Sequence, residues 1–125
     1  EINEIEEIPD AEKAEEETKD GKTTLWLALS YGGRAEIINA AQELVKEGKQ
    51  NITEEDFASK LWTAGMPDPD IIIRTSGEER LSGFLPWQGV YSELFFIKTY
   101  WPAFTKEEFE SILVEFDSRE RKLGK

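Results

Sequence analysis

The chain has 125 residues, enough for one domain with a modest hydrophobic core. Its net charge is −12, of which residues 1–20 carry −8 (ten acids, two lysines), and this argues against non-specific binding to nucleic acid or to an anionic membrane. It has no cysteine and no histidine, which excludes disulfides, thiolate chemistry and the usual transition-metal ligands. A hard, oxygen-binding ion such as Mg²⁺ is the metal that such a composition can hold.

The two ends of the chain are charged and are predicted to lie outside the core. Residues 1–21 form an acidic lead-in, in which residues 10–20 are predicted to be a helix that ends at Gly21, or else a solvated, frayed segment. Residues 118–125 form a basic tail, and residues 22–117 carry the predicted sheet and helices. No signal peptide and no bilayer-spanning apolar run is evident, so we expect a cytoplasmic protein with at most peripheral contact with a membrane.

Three apolar runs predict strands. Residues 24–29 are nearly unbroken apolar, as in a strand buried on both faces of a parallel sheet, and residues 71–73 and 94–97 are shorter runs. A long helical crossover separates the first run from the second, which indicates an α/β fold with an open, mostly parallel sheet flanked by helices. Three strands are fewer than such a sheet normally uses, so much of the sheet is expected to be missing.

Three helices are expected around this sheet. Apolar residues at helical spacing predict the first over residues 35–46, closed by Gly48. Thr53 would cap a second helix that includes residues 57–62. Residues 105–108, Thr-Lys-Glu-Glu, form a capping box that opens a third helix with one apolar face.

Two polar clusters are predicted to meet, because each follows a predicted strand. Residues 30–34 (Ser-Tyr-Gly-Gly-Arg) come after the first strand and residues 74–82 after the second. Ligands of open parallel sheets bind outside the carboxyl ends of the strands. In the second cluster Arg74, Arg80 and Ser82 offer guanidinium forks and a hydroxyl, which suit phosphate oxygens. The position favours an anion-binding site.

Simpler interpretations stay open for these groups. The arginines could pair with acidic neighbours such as Glu78 or Asp70, and residues 30–34 lack the lysine and the glycine spacing of the known phosphate-binding motifs. Glu93, just before the third strand, is a lone carboxylate, and spacing alone favours a solvent-facing side chain over a metal ligand. The aromatic residues between 87 and 104 favour a core or an oligomer interface over ligand stacking.

Four short motifs follow one another along the chain. Tyr-Gly-Gly-Arg stands at residues 31–34, and the longest motif, Pro-Asp-Pro-Asp-Ile-Ile-Ile-Arg-Thr-Ser-Gly-Glu-Glu-Arg-Leu-Ser, at residues 67–82. Trp-Gln at residues 87–88 with Tyr-Ser-Glu-Leu at residues 91–94 comes next, and Trp-Pro at residues 101–102 comes last. In this order the motifs resemble the signature of the cis-prenyltransferases, of the bacterial undecaprenyl diphosphate synthase type.

The resemblance covers about residues 22–124 and implies roles for the site residues. The residues that would bind the diphosphate of isopentenyl diphosphate are Arg74, Arg80, Leu81 and Ser82. Glu78 would support them, and Glu93 would be a ligand of Mg²⁺. The family joins isopentenyl diphosphate to an allylic diphosphate, farnesyl diphosphate, with cis geometry, to give a polyprenyl diphosphate such as undecaprenyl diphosphate, a lipid carrier for cell-wall synthesis. The aromatic stretch would lie at a homodimer interface.

The chain departs from the family's pattern at two residues and by one absence. Gly83 and Ser30 stand where the family usually has asparagine. The Asp-Gly-Asn-Gly-Arg-Trp-Ala-type motif, which supplies a magnesium-binding aspartate and the allylic diphosphate site, does not occur in residues 1–125. We therefore expect the second half of a cis-prenyltransferase, with no catalytic residue of its own, that needs the N-terminal half of the enzyme as a partner. The start at Glu1 rather than methionine agrees with this expectation.

Two rival hypotheses follow from the same residues. The first is a non-catalytic partner subunit, or inactive fragment, that keeps the fold to stabilise a catalytic chain. The second is an anion-binding module unrelated to prenyl transfer. The presence of Arg74, Arg80, Ser82 and Glu93 argues against a pure scaffold, which has no need of them.

Overall fold

The computed structural model describes residues 16–119, and the structural statements below concern that part of the chain. Its elements in chain order are α1 (Gly33–Lys46), α2 (Glu54–Ala58), β1 (Ile71–Arg74), β2 (Glu93–Phe96), a 3₁₀ helix (Trp101–Ala103) and α3 (Lys106–Ser118). Residues 16–18 are also helical, and the Gly21 N–H donates to the Thr18 carbonyl at 2.8 Å. Residues 19–20 form a turn, while residues 10–15 of the predicted helix and the basic tail beyond Arg119 lie outside the described residues.

The sheet consists of two parallel strands, β1 and β2. Ile71 pairs with Glu93 and Arg74 pairs with Phe96, so the two strands are matched over their whole length. The predicted α/β class with a parallel sheet is confirmed. The second of these strands begins one residue earlier than the apolar run predicted.

The first predicted strand, over residues 24–29, does not form. Leu25 is 81% exposed and Leu27 is 71% exposed, so the run is not buried on either face. A strand requires a neighbour that takes up its backbone hydrogen bonds, and within residues 16–119 β1 and β2 pair only with each other. The prediction was wrong because an apolar run indicates only that a segment can form a strand. It does not provide the neighbouring strand with which the segment must pair.

Helix α1 matches its prediction closely. It begins at Gly33 and ends at Lys46, and Gly48 follows at a φ of +70°, where the Gly48 N–H donates to the Val45 carbonyl at 3.0 Å. Glycine suits this left-handed position after a helix. Ala40 lies on the buried face of the helix.

Helix α2 is shorter than predicted. Thr53 caps it as expected, in a capping box with Asp56, but the helix ends at Ala58 and residues 59–65 form turns. The N–H of Thr63 donates to the carboxylate of Glu36 at 3.0 Å instead of to a carbonyl of its own helix. The helical pattern is lost before Thr63, because the Lys60 and Leu61 N–H groups already donate to carbonyls three residues back, and the bond to Glu36 holds the turn that follows.

Helix α3 opens with the predicted capping box, formed by Thr105 and Glu108. Ile112 is buried on its inner face, while Phe109 and Leu113 remain partly exposed. The apolar face of this helix is thus only partly covered. No helix within the described residues combines the length and the apolar composition needed to cross a bilayer.

A small core joins these elements. The buried apolar side chains are Ala40, Leu44, Leu61, Ile72, Leu85, Phe95 and Ile112. The ring centroids of Phe57 and Trp87 are 4.6 Å apart, so the segment that follows the polar loop packs on the α2 region. This packing fixes the loop between β1 and β2, which carries the predicted site.

Candidate functional site

The polar loop over residues 74–82 is anchored to the end of β2. Beyond β1, the Ser76 N–H donates to the Thr99 carbonyl at 3.0 Å and the Gly77 N–H donates to the Ile97 carbonyl at 2.8 Å. The strand pairing thereby extends into the loop. The loop leaves the carboxyl edge of the sheet, as predicted.

Arg74 closes this loop on itself. Its Nη1 donates to the Ser82 Oγ at 2.9 Å and to the main-chain carbonyl of Arg80. Because the Ser82 oxygen accepts this bond, its own O–H remains free to donate to a ligand. Leu81, between these two residues, is half-buried and contributes its carbonyl to a 3.0 Å bond from the Phe84 N–H. The structure therefore brings together Arg74, Arg80, Leu81 and Ser82.

Arg80 uses its side chain differently from Arg74. Its Nη1 pairs with the Glu78 carboxylate, so the simpler interpretation, pairing with an acidic neighbour, describes this arginine. Both side chains are exposed, by 62% and 44%, and an ion pair of that kind contributes little free energy in water. An incoming anion with more negative charge could therefore displace Glu78 at small cost.

The two predicted polar clusters meet at one open cavity of about 520 Å³. Its lining residues are Gly32, Gly33, Arg34, Ala35, Ser82 and Gly83. The first turn of α1 forms one side of the cavity, and the amide N–H groups of a first turn have no partner within their own helix. The Gly33 N–H donates to the Gly83 carbonyl at 3.1 Å, and this bond joins α1 to the loop side of the cavity. The arrangement offers a guanidinium, a hydroxyl and helix amides to one anion.

Within or directly beside these clusters, five positions have a left-handed backbone, residues 30, 76, 77, 82 and 83. Ser30 has a φ of +51°, Ser82 of +50° and Gly83 of +79°. Asparagine is the residue other than glycine that best tolerates this region. The two positions where the family usually has asparagine therefore share a left-handed backbone. Gly83 adopts this conformation freely, and Ser30 adopts it with strain.

A buried carboxylate lies directly behind the cavity. Glu36 is 0% exposed and accepts hydrogen bonds from the hydroxyls of Tyr31 (2.5 Å) and Thr63 (2.7 Å), from the Thr63 N–H (3.0 Å) and from the Gln88 Nε2 (3.3 Å). Burial by itself would raise the pKa of this carboxyl, but the bonds from Tyr31, Thr63 and Gln88 outweigh it and hold the pKa below its usual range. Burial, with the hydrogen bond to Glu36, raises the pKa of Tyr31.

No role for this network was predicted from the sequence, although one signal was present. Glu36 lies four residues before Ala40 and eight before Leu44, both of which are buried. Positions four apart share one face of a helix, so a carboxylate at residue 36 falls on the buried face. A buried acid requires hydrogen-bond donors, which Thr63 and Gln88 provide.

Glu93, the predicted metal ligand, forms an ion pair with Arg119. Arg119 Nη1 donates to the Glu93 Oε2 at 2.8 Å, its Nη2 donates to the Glu115 Oε1 at 2.5 Å, and its guanidinium carbon lies 4.0 Å from the centre of the Phe95 ring. The hydrogen bonds that Arg119 donates to Glu115 and Glu93 raise the pKa of Arg119. This contact fastens the end of α3 to the start of β2.

The structure does not bring Glu93 to the polar loop. Glu93 pairs with Ile71 and Arg74 with Phe96, three residues further on, so the two side chains start about 10 Å apart along the strands. Within residues 16–119 no three acidic side chains converge on one point. The described part of the chain thus supplies single oxygen ligands and not a complete metal site.

Comparisons with known proteins give one consistent result. The family described as "Putative undecaprenyl diphosphate synthase" matches residues 4–124. An isoprenyl transferase of Fusobacterium nucleatum is 50% identical over 114 residues, which cover 90% of this chain and 49% of that protein. An isoprenyl transferase of Thermotoga maritima is 48% identical over 118 residues, which cover 90% of this chain and 51% of that protein.

Solved structures agree with the sequence matches. A probable undecaprenyl diphosphate synthase from Campylobacter jejuni superposes with a TM-score of 0.68 at 40% identity, over 78% of this chain and 45% of that one. Lavandulyl diphosphate synthase from Lavandula x intermedia, solved with dimethylallyl diphosphate, gives a TM-score of 0.70 at 32% identity, over 78% of this chain and 44% of that one. The chain spans about half the length of the curated relatives it matches. It belongs to the undecaprenyl diphosphate synthase-like family of prenyltransferases.

Proposed function

We propose that this chain forms the isopentenyl diphosphate-binding side of a cis-prenyltransferase. The complete enzyme would join isopentenyl diphosphate to an allylic diphosphate such as farnesyl diphosphate, with cis geometry, to make a polyprenyl diphosphate. The allylic site would come from the other half of the enzyme. Relatives that are 48–50% identical and bear the name isoprenyl transferase support this proposal.

The observation that carries the proposal is the hydrogen bond from Arg74 to Ser82 at the edge of the cavity. The guanidinium holds the Ser82 oxygen at 2.9 Å and leaves its proton free for a diphosphate oxygen. Arg80, released from Glu78, and Arg34 on the first turn of α1 would add charge-assisted hydrogen bonds. A diphosphate, with several oxygens to share, suits this set of donors.

Mg²⁺ is the proposed metal of the assembled enzyme. A magnesium ion is commonly bound by one or two carboxylates together with substrate phosphates, so the single carboxylate of Glu93 fits a partial site. When bound, the ion would neutralise diphosphate oxygens and stabilise the charge of the departing diphosphate. Arg119 contacts the Oε2 of Glu93, so the Oε1 would be the ligand atom.

We further propose that the chain forms a homodimer through the surface near β2 and α3. The surface near β2 and α3 is apolar and open, as an interface requires. Its exposed large side chains include Val90, Tyr91, Tyr100, Trp101 and Val114.

The homodimer is tested by the mass of the protein in solution. Sedimentation should give twice the chain mass, and Trp101→Glu, which places a charge at the centre of the exposed aromatic surface, should give the single-chain mass. Val45→Glu, on the exposed side of α1 and 75% exposed, is the matched control and should leave the dimer intact. The homodimer would be ruled out if the assembled enzyme, made with the wild-type chain, contained only one copy of that chain.

The diphosphate site is tested by calorimetric titration with inorganic pyrophosphate. Arg74→Ala should weaken binding roughly tenfold or more, because it removes a charge-assisted contact and frees Ser82. Arg74→Lys keeps the charge without the fork and should recover only part of the affinity.

Lys46→Ala is the matched control for loss of one positive charge. Lys46 lies in the last turn of α1, about 18 Å along the helix from the cavity. This variant should bind pyrophosphate like the wild type. Equal weakening in both variants would show that the effect of Arg74 is one of net charge, and the proposed site would be abandoned.

A further inference from the structure

Glu36 is a buried anion that has no positive partner among the described residues. It is 0% exposed, and every bond recorded to it comes from a neutral donor: Tyr31, Thr63 or Gln88. A buried charge without a counter-ion is costly unless its hydrogen bonds are complete. In some proteins such a buried group holds the surrounding elements in one arrangement. That role can be tested for Glu36.

The elements that Glu36 holds are the two sides of the cavity. Tyr31, which donates to Glu36, lies next to Gly32, and its ring meets the ring of Phe84 edge-on at 5.9 Å. Gln88 lies six residues after Ser82 and donates to Glu36 from the loop side. The carboxylate thus connects the start of α1 with the segment that follows the polar loop.

Gln88 depends on this network for its position. Its Nε2 donates to the Glu36 Oε2 and to the Thr63 Oγ1, while its Oε1 is buried with no hydrogen-bond partner within residues 16–119. The opposite orientation of the amide would place Oε1 against the carboxylate, so the present one is required. Thr63 and Glu36 are therefore the groups that fix this side chain.

The cavity leaves little tolerance for movement. A Cβ added to Gly33 would lie 2.1 Å from the Pro86 Cδ and 2.5 Å from the Gly83 oxygen, so α1 and the loop are in direct backbone contact. A shift of residues 83–88 would move Ser82 and change the width of the cavity.

From this geometry we propose that Glu36 is a positioning residue. Acting through Gln88 and Tyr31, it holds residues 82–88 against the first turn of α1 and so sets the affinity of the cavity for a diphosphate group. The inference rests on the proposed diphosphate site, but the positioning itself can be measured separately.

The test combines pyrophosphate titration with amide hydrogen exchange of residues 82–89. Glu36→Gln removes the carboxylate oxygen that accepts from the Gln88 Nε2, so the Gln88 amide must lose that bond or turn over, and we expect roughly tenfold weaker pyrophosphate binding and faster exchange in that segment. The reciprocal double variant, Glu36→Gln with Gln88→Glu, restores a donor–acceptor pair with the wild-type composition and should recover most of both properties. Tyr31→Phe removes one bond only and should give an intermediate effect, which keeps the test valid if Glu36→Gln folds poorly.

Glu108→Gln is the matched control for a merely structural role. Glu108 likewise accepts bonds from a threonine hydroxyl, that of Thr99, and from a main-chain N–H, that of Thr105, but it lies in α3. It should lower thermal stability without changing pyrophosphate affinity. If Glu36→Gln also lowered only stability, or if the double variant recovered nothing, the positioning role would be wrong.

The proposed function and the positioning role fail in different ways. If neither the wild type nor Arg74→Ala binds pyrophosphate, the diphosphate site is wrong, and hydrogen exchange alone decides whether Glu36 positions residues 82–89. If pyrophosphate binds and depends on Arg74 but not on Glu36, the site stands and the positioning role is refuted.

Discussion

Single residues determine the chemistry at the cavity. Arg74 binds Ser82 at 2.9 Å, Arg80 pairs with Glu78, and Glu36 is buried among neutral donors. These charged groups differ in exposure, so substitutions at them should differ in effect. The buried one should dominate the stability of the site.

The pH dependence of unfolding should report Glu36. Its pKa in the folded chain is below the ordinary value of 4.5, so its stabilising effect is fully present above 4.5 and is lost as the pH falls from there through the lower pKa of the folded chain. At pH 7, Glu36→Gln should cost about 1–3 kcal/mol of unfolding free energy, because buried donors lose their acceptor. In urea titrations the difference between wild type and variant should shrink as the pH is lowered below the ordinary value. A difference that is constant with pH would mean that the carboxylate is not stabilised in its ionised form.

At this scale the sequence predicted the polar loop but not its partners. Arg74, Arg80 and Ser82 were identified because they follow an apolar run closely, and the structure joins them. The bond from Gln88 to Glu36 spans 52 residues and the bond from Arg119 to Glu93 spans 26. No local pattern encodes such contacts, since they depend on how separate elements pack.

Elements set the shape of the cavity through the contact between α1 and the loop. Gly33 has no room for a side chain, whereas a Cβ on Gly32 would have a single near neighbour, the Ala35 Cβ at 3.9 Å. Two adjacent glycines at the start of one helix therefore offer a matched pair of substitutions.

Gly33→Ala should destabilise the chain by about 1–3 kcal/mol, because the new methyl group overlaps Pro86 and the Gly83 carbonyl. Gly32→Ala should cost about 1 kcal/mol or less, which is the difference between glycine and alanine at an N-cap. Urea unfolding measures both. Equal losses at the two positions would show that α1 and the loop are not in close contact.

Local rules predicted the helix starts well and the first strand badly. The capping boxes of Thr53 and Thr105 need only neighbouring residues, and both are present. Residues 24–29 need a strand that lies alongside them, and the described residues provide none. Helix α2 shows a similar limit, because the turn that follows it is held by a tertiary bond from Thr63 to Glu36, which no local pattern encodes.

At the scale of the molecule, the chain has the features of an incomplete sheet. Its sheet has two strands, Leu25, Leu27 and Leu29 are all more than half exposed, and the chain covers 45% of the Campylobacter jejuni synthase. We propose that the other half of the enzyme covers residues 24–29 and supplies the allylic diphosphate site. The α/β class was predicted from apolar runs separated by helices, and the parallel pairing of β1 and β2 agrees with it, although the first of those runs forms no strand.

The central claim is tested by adding the missing half. The chain is mixed with the half of the Fusobacterium nucleatum isoprenyl transferase that it does not match, in the presence of Mg²⁺, farnesyl diphosphate and labelled isopentenyl diphosphate. We expect no incorporation of label by residues 1–125 alone, incorporation into a cis-polyprenyl product by the mixture, and loss of that product with Arg74→Ala. Full activity of the chain alone would contradict the account, and an assembled but inactive mixture that does not bind pyrophosphate would favour a non-catalytic partner subunit.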